Sequence, residues 1–173
     1  MAKMSIAEVV TELQKCQTKT ERINILKSND SSALRGLLRM NYDANLKLSL
    51  PEGVPPYKKA DVPQGFGEST LLSTAKGWYI FTQQGAPNLK QSKREYLYIK
   101  LLESLDPVEA NIFILAKDKK LDLGLTKLVI NEIFPDLIQA ESVKNDNKEK
   151  PKKVSTKSTS KSDGKGVRDN IDV

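Results

Sequence analysis

The sequence predicts a mainly α fold, a compact multi-helix domain of about six or seven helices, and three observations carry that prediction. Apolar residues recur at i, i+3 and i+4 spacing in several separate runs, as they do in helices with one buried face. Serine, threonine or aspartate stands just ahead of most of those runs, where a side-chain oxygen can satisfy the free amides of a first turn. Period-two alternation is confined to short stretches, which leaves room for no more than a short β-hairpin or edge strand.

The N-terminal part reads as three short helices. Ser5 and Glu8 fit a capping box ahead of Ile6, Val9, Val10 and Leu13, and Thr18 with Glu21 repeats it before Ile23, Ile25 and Leu26. Asn29-Asp30-Ser31 then breaks the chain before Ala33, Leu34, Leu37, Leu38 and Met40. Short loops make these helices antiparallel neighbours.

Residues 41–69 differ in kind. Residues 46–50 alternate with period two and admit a short edge strand, whereas Pro51, Pro55, Pro56 and Pro63 forbid a long helix after them. An ordered proline-rich loop over residues 50–69 is expected, with Leu50, Val54, Tyr57 and Phe66 pinning it to the helices and Gly65 and Gly67 allowing tight bends.

Helical spacing returns with Leu71, Leu72, Ala75, Trp78, Tyr79 and Phe81, although Gly77 weakens this fourth helix and residues 78–82 read equally well as a strand. Gln84-Gly85-Ala86-Pro87 ends it, and Asn88 is expected to cap a long helix reaching Leu105, exposed through Glu95 and buried from Tyr96 to Leu102. Asp106-Pro107 is a strong start signal, because proline at the first helical position loses no hydrogen bond. Residues 108–116 are apolar around most of the circumference, which makes this the central helix. Residues 117–120 return to water, Gly124 marks a turn, and Thr126 caps a last helix carrying Leu128, Val129, Ile130, Ile133 and Phe134. Pro135 stops it, and Leu137 and Ile138 fold back on the core.

The domain is therefore expected over residues 1–142. Residues 143–173 hold few aliphatic side chains among many lysines, serines and threonines, so a disordered basic C-terminal tail is expected there. The net charge of the 173 residues is +6, and the tail's nine basic and five acidic residues supply +4 of it. A nearly neutral folded part is unlike the basic surface of a dedicated duplex binder. Cys16 is the only cysteine and histidine is absent, which removes an intramolecular disulfide, cysteine-rich zinc sites and the commonest general base. No apolar run is long enough to span a bilayer and no signal-like stretch opens the chain, so the expected location is the cytoplasm. No cofactor, metal or small-molecule substrate is expected.

Three clusters are candidates for binding. In the tail, Lys150, Lys152, Lys153 and Lys157 can exchange phosphate counterions for protein charge, although such tails also serve solubility alone. Lys90, Lys93 and Arg94 precede Tyr96 and Tyr98 on one helix, a mixture that grips nucleic acid when the rings are exposed and is a plain wet face when they are buried. Pro55, Pro56, Tyr57 and Phe66 form a loop surface for a protein partner or a clasp over the helices. Asp106 and Glu109 at a helix start are explained by capping, and Asp118, Asp122 and Gly124 lack the ligand pattern of a calcium loop.

Several segments carry a resemblance: Ala33-Leu34-Arg35, Asn41-Tyr42-Asp43, the run from Leu50-Pro51-Glu52 to Pro55-Pro56-Tyr57, Pro63-Gln64-Gly65-Phe66-Gly67, Lys93-Arg94-Glu95, and the run from Leu101 to Ala110. Over about residues 33–137 the chain resembles an uncharacterised family of T4-like tailed-bacteriophage proteins. The resemblance implies a phage protein acting in the host cell cytoplasm and carries over no site residue. The expected function is a non-enzymatic phage accessory protein that binds a protein partner in host or phage replication or transcription machinery, its tail adding nonspecific nucleic-acid attraction. A direct DNA- or RNA-binding regulator or packaging accessory, and a structural virion component, are the alternatives.

Overall fold

The computed structural model of the chain describes residues 3–139, which belong to one compact unit, Met1–Glu141. The expected tail, with Lys150, Lys152, Lys153 and Lys157, lies outside the described residues. Seven α-helices and one 3-10 segment make up the described fold: α1 (Ile6–Lys15), α2 (Lys19–Ser28), α3 (Ser32–Tyr42), α4 (Leu71–Thr74) running into the 3-10 segment Ala75–Phe81, α5 (Gln91–Ser104), α6 (Pro107–Lys117) and α7 (Lys127–Ile133). The fold is mainly helical, as the spacing predicts.

Five caps form as the sequence indicates. Ser5 Oγ accepts from the Glu8 amide while Glu8 Oε2 accepts from the Ser5 amide at 2.7 Å, and Thr18 with Glu21 does the same for α2. Ser31, Asp106 and Thr126 cap α3, α6 and α7. Helix α6 is central: it packs on α1 and α3, and Ala110, Ile112, Phe113, Ile114 and Ala116 are all buried. Phe113 stands among Trp78 at 5.2 Å, Tyr98 at 6.0 Å and Phe81 at 6.1 Å between ring centroids, the Trp78 and Phe81 contacts being edge-to-face. Burying a phenylalanine of this kind stabilises by about 2–3 kcal/mol, and edge-to-face pairs add to it. Gly36 on α3 lets the Trp78 ring come close; a Cβ there would lie 3.2 Å from it.

Several expectations are corrected. The edge strand reduces to one antiparallel bridge, Leu48 with Thr82, because Pro51 has no amide to continue a ladder and the chain before Thr82 is 3-10 helix rather than strand. Asn88 does not cap α5. A turn in which the Leu89 amide bonds the Ala86 carbonyl keeps Asn88 outside the helix, and Lys90 takes the cap position without a side-chain bond. Tyr96 is half exposed, so burial on α5 is limited to the stripe of Arg94, Tyr98 and Leu102, with Leu105 just beyond. Leu128 faces solvent, because α7 buries only Ile130 within its span; Phe134 and Ile138 beyond it are the residues that enter the core.

Residues 117–120 do not simply return to water. Lys117 is buried, donating to Pro51 O at 2.8 Å and pairing with Asp118, and Lys119 Nζ donates to Met40 O and Asp43 O at the end of α3. These lysines tie the end of α6 to the end of α3 and to the start of the proline-rich stretch.

Candidate functional site

The proline-rich stretch is held as a strap along α5 and α6, chiefly through its own backbone. Its fixed φ angles and missing amides leave few donors, and carboxylates meet several of those that remain. Asp118 Oδ2 accepts from the Gly53 amide at 2.9 Å, Asp106 Oδ2 from Gly65 at 2.9 Å, and Glu109 Oε2 from Leu71 at 2.7 Å. Between them Glu103 Oε1 accepts from Lys58 at 3.4 Å, and the Ser104 carbonyl accepts from Ser69 at 2.9 Å. The strap thus runs from the C-terminal end of α6 to its N-terminal end, antiparallel to the helix. Gly53 and Gly65 adopt φ of +84° and +86°, a region that a side chain would strain, and each offers its amide to a carboxylate.

Two of these acceptors are buried acids, and Asp106 has a double duty. Asp106 Oδ1 caps α6 through the Val108 and Glu109 amides while Oδ2 holds Gly65. Glu109 is 1% exposed, and its Oε1 has no hydrogen-bond partner. Burial pushes Glu109 up from the ordinary carboxylate value, the neighbouring Asp106 adding to it, while the Leu71 and Ala7 amides pull the other way.

Held in this way, the strap divides its apolar residues between core and solvent. Leu50 and Tyr57 pack against the core, and burial pushes the Tyr57 hydroxyl up. Pro55 is half-buried and Pro56 is exposed. Val54 and Phe66 do not pin the strap, contrary to expectation: they are 69% and 74% exposed. Carboxylate bonds to the backbone make those side chains unnecessary as anchors. The Phe66 amide bonds Pro63 O at 3.1 Å, so the aromatic ring is presented from a closed turn whose neighbour Gly65 is fastened to Asp106.

On α5 the expected basic cluster separates. Lys90 and Lys93 are exposed, and Lys93 and Lys100 stand 4.9 Å and 5.9 Å from the Tyr96 ring centroid. Arg94 is not a surface residue. It is 1% exposed, and its guanidinium donates to Ile80 O at 2.9 Å, Ala86 O at 2.7 Å and Gln91 Oε1 at 2.9 Å. It fastens the 3-10 segment and the following turn to α5, and nothing of it remains for a phosphate. A signal for this was present in the sequence: Arg94 shares i, i+4, i+8 spacing with Tyr98 and Leu102.

The buried charges Asp43, Arg94, Asp106, Glu109 and Lys117 all bond main-chain groups or neighbours that do. The arrangement spends charge on organising backbone, and what it offers outward is a fixed strap and a lysine-lined helix. No described helix is long and apolar enough to cross a membrane.

Fold and site together define a helical domain with a backbone-fastened strap along two of its helices. The chain belongs to a family of unknown function, DUF6433, which it matches over residues 9–123. That match begins within α1 and takes in the strap and α6, ending before α7. No curated protein matches the chain.

Proposed function

We propose that this protein is a non-enzymatic accessory protein that binds a protein partner through its proline-rich strap, and that it works in the cytoplasm of a phage-infected bacterium. The observation that carries the reading is Phe66, a large aromatic ring 74% exposed on a backbone fixed by Asp106 and by its own turn. Exposed rings on prearranged loops are efficient anchors, since docking orders little further chain and aromatic residues dominate binding hot spots. Val54 and Pro56 extend the apolar character of the strap. The phage setting rests on the sequence resemblance, and the partner class on the replication and transcription machinery available in that setting.

A second reading, direct binding of DNA or RNA, keeps Lys90, Lys93 and the tail lysines Lys150, Lys152, Lys153 and Lys157, and loses Arg94. It is favoured by the tail's charge of +4 alone.

Affinity capture from infected cells, with and without nuclease, separates the two. Wild-type protein should retain a partner after nuclease treatment, and Phe66→Ser, which alters an exposed side chain and leaves stability within about 0.5 kcal/mol, should lose it. Equal capture by both proteins refutes the strap reading; loss of all capture on nuclease treatment favours nucleic acid.

A further inference from the structure

A second surface is independent of the strap. Between the 3-10 segment and α5 lies an open groove of about 360 Å³, walled by Gly77, Ile80 and Phe81 on one side and Leu97, Lys100 and Leu101 on the other. A cavity of this size takes a few side chains. Its hydroxyls are already used: Thr74 Oγ1 bonds Thr70 O at 3.0 Å and accepts from Trp78 Nε1, and Ser104 Oγ bonds Leu101 O at 2.8 Å. A ligand seated here is therefore recognised by apolar fill, and a nucleic-acid base would leave its polar edge unmatched.

The rim is cationic. Lys100 lines the groove, Lys76 neighbours Gly77 on the opposite wall, and Lys93 lies along α5 beyond Tyr96; all three are exposed. Glu103 pairs with Lys100 at 2.9 Å and offsets its charge, so three lysines less one carboxylate leave the rim a net positive charge carried chiefly by Lys76 and Lys93. An apolar floor about two helical turns long, edged by lysines, fits one class of ligand best. We infer that this groove docks an amphipathic helix of a protein partner, with leucine-like side chains at i and i+4 entering the groove and acidic residues on its flanks meeting Lys76 and Lys100.

Gly77 supplies a clean test, because a Cβ built there meets nothing within 4 Å and its φ is ordinary for a side chain. Gly77→Leu should occupy the groove from within and, by removing a helical glycine, leave the melting temperature unchanged or raised. The probe is a fluorescein-labelled synthetic peptide of Leu, Ala and Glu with leucines at i and i+4, measured by anisotropy on the full chain. A scrambled peptide of equal charge controls for general attraction to lysines, and oligo(dT) covers nucleic acid. The amphipathic peptide should bind at least tenfold more tightly than its scramble, lose that advantage with Gly77→Leu, and weaken several-fold with the exposed-residue variants Lys76→Glu and Lys100→Glu. Equal binding of the two peptides, or binding unmoved by all three substitutions, overturns the inference. So does oligo(dT) binding that displaces the peptide and is lost with Gly77→Leu, which would give the groove to nucleic acid. The strap variant Phe66→Ser should bind the peptide as wild type does, so this test and that of the strap fail separately.

Discussion

Replacing Arg94 by leucine removes a buried cation whose partners are two main-chain carbonyls and one side-chain amide. Leucine retains much of the apolar stem but offers no donor. Each carbonyl deprived of its partner in a partly buried site costs about 1–3 kcal/mol, and relief from burying the charge returns a fraction. Gln91 is exposed and recovers its bond from water. The net expected loss is about 2–4 kcal/mol, which at a urea dependence of about 2 kcal/mol per molar lowers the unfolding midpoint by about 1–2 M. Trp78 is the only tryptophan and is 6% exposed, so its fluorescence reports unfolding of the aromatic centre directly. Lys93→Leu, one residue earlier and exposed, should change stability by less than about 0.5 kcal/mol. An Arg94→Leu midpoint equal to wild type, or an equal loss at Lys93, would refute the assignment of Arg94 to the scaffold.

Two further outcomes follow from buried groups. Glu109 titrates above its ordinary value in the folded state, so its contribution to stability is greatest below pH 4.5 and falls as pH rises through the raised value. Glu109→Gln lacks that dependence, and its melting temperature should gain on wild type as pH rises across this window; a constant difference would contradict the burial argument. Gly124→Ala should cost about 1–2 kcal/mol in the same urea titration, because its φ of +62° disfavours a side chain and the new Cβ would lie 2.8 Å from the Arg22 guanidinium. That guanidinium bonds Cys16 O at 2.6 Å at the end of α1, and an unchanged midpoint would show that the turn yields freely.

What the sequence reveals and conceals follows the range of the interactions. Caps are local, so Ser5 with Glu8, Thr18 with Glu21 and Asp106 with Pro107 are readable from neighbours alone, and the apolar circumference of α6 identifies it as central. The fastening of the strap joins residues far apart in the chain, such as Gly53 with Asp118 and Gly65 with Asp106, and no periodicity encodes it. Apolar strap residues suggest hydrophobic pinning; acceptors on α6 do that work, which frees Phe66 and Val54 for solvent. Arg94 hides among polar neighbours because composition describes a segment, whereas burial is decided by the register of one residue on its helix. The exposure of Phe66 and Val54 depends on these long-range bonds, and so it is the part least open to reading.

Hydrogen exchange of the strap amides measures the rigidity on which the strap reading depends. In the isolated 173-residue chain under native conditions, the amides of Gly53, Gly65 and Leu71 should exchange far more slowly than in an unstructured peptide, and Asp106→Ala should release Gly65 first. Exchange of all three at free-peptide rates would mean that the strap is not held, and Phe66 would then have no fixed place from which to anchor a partner.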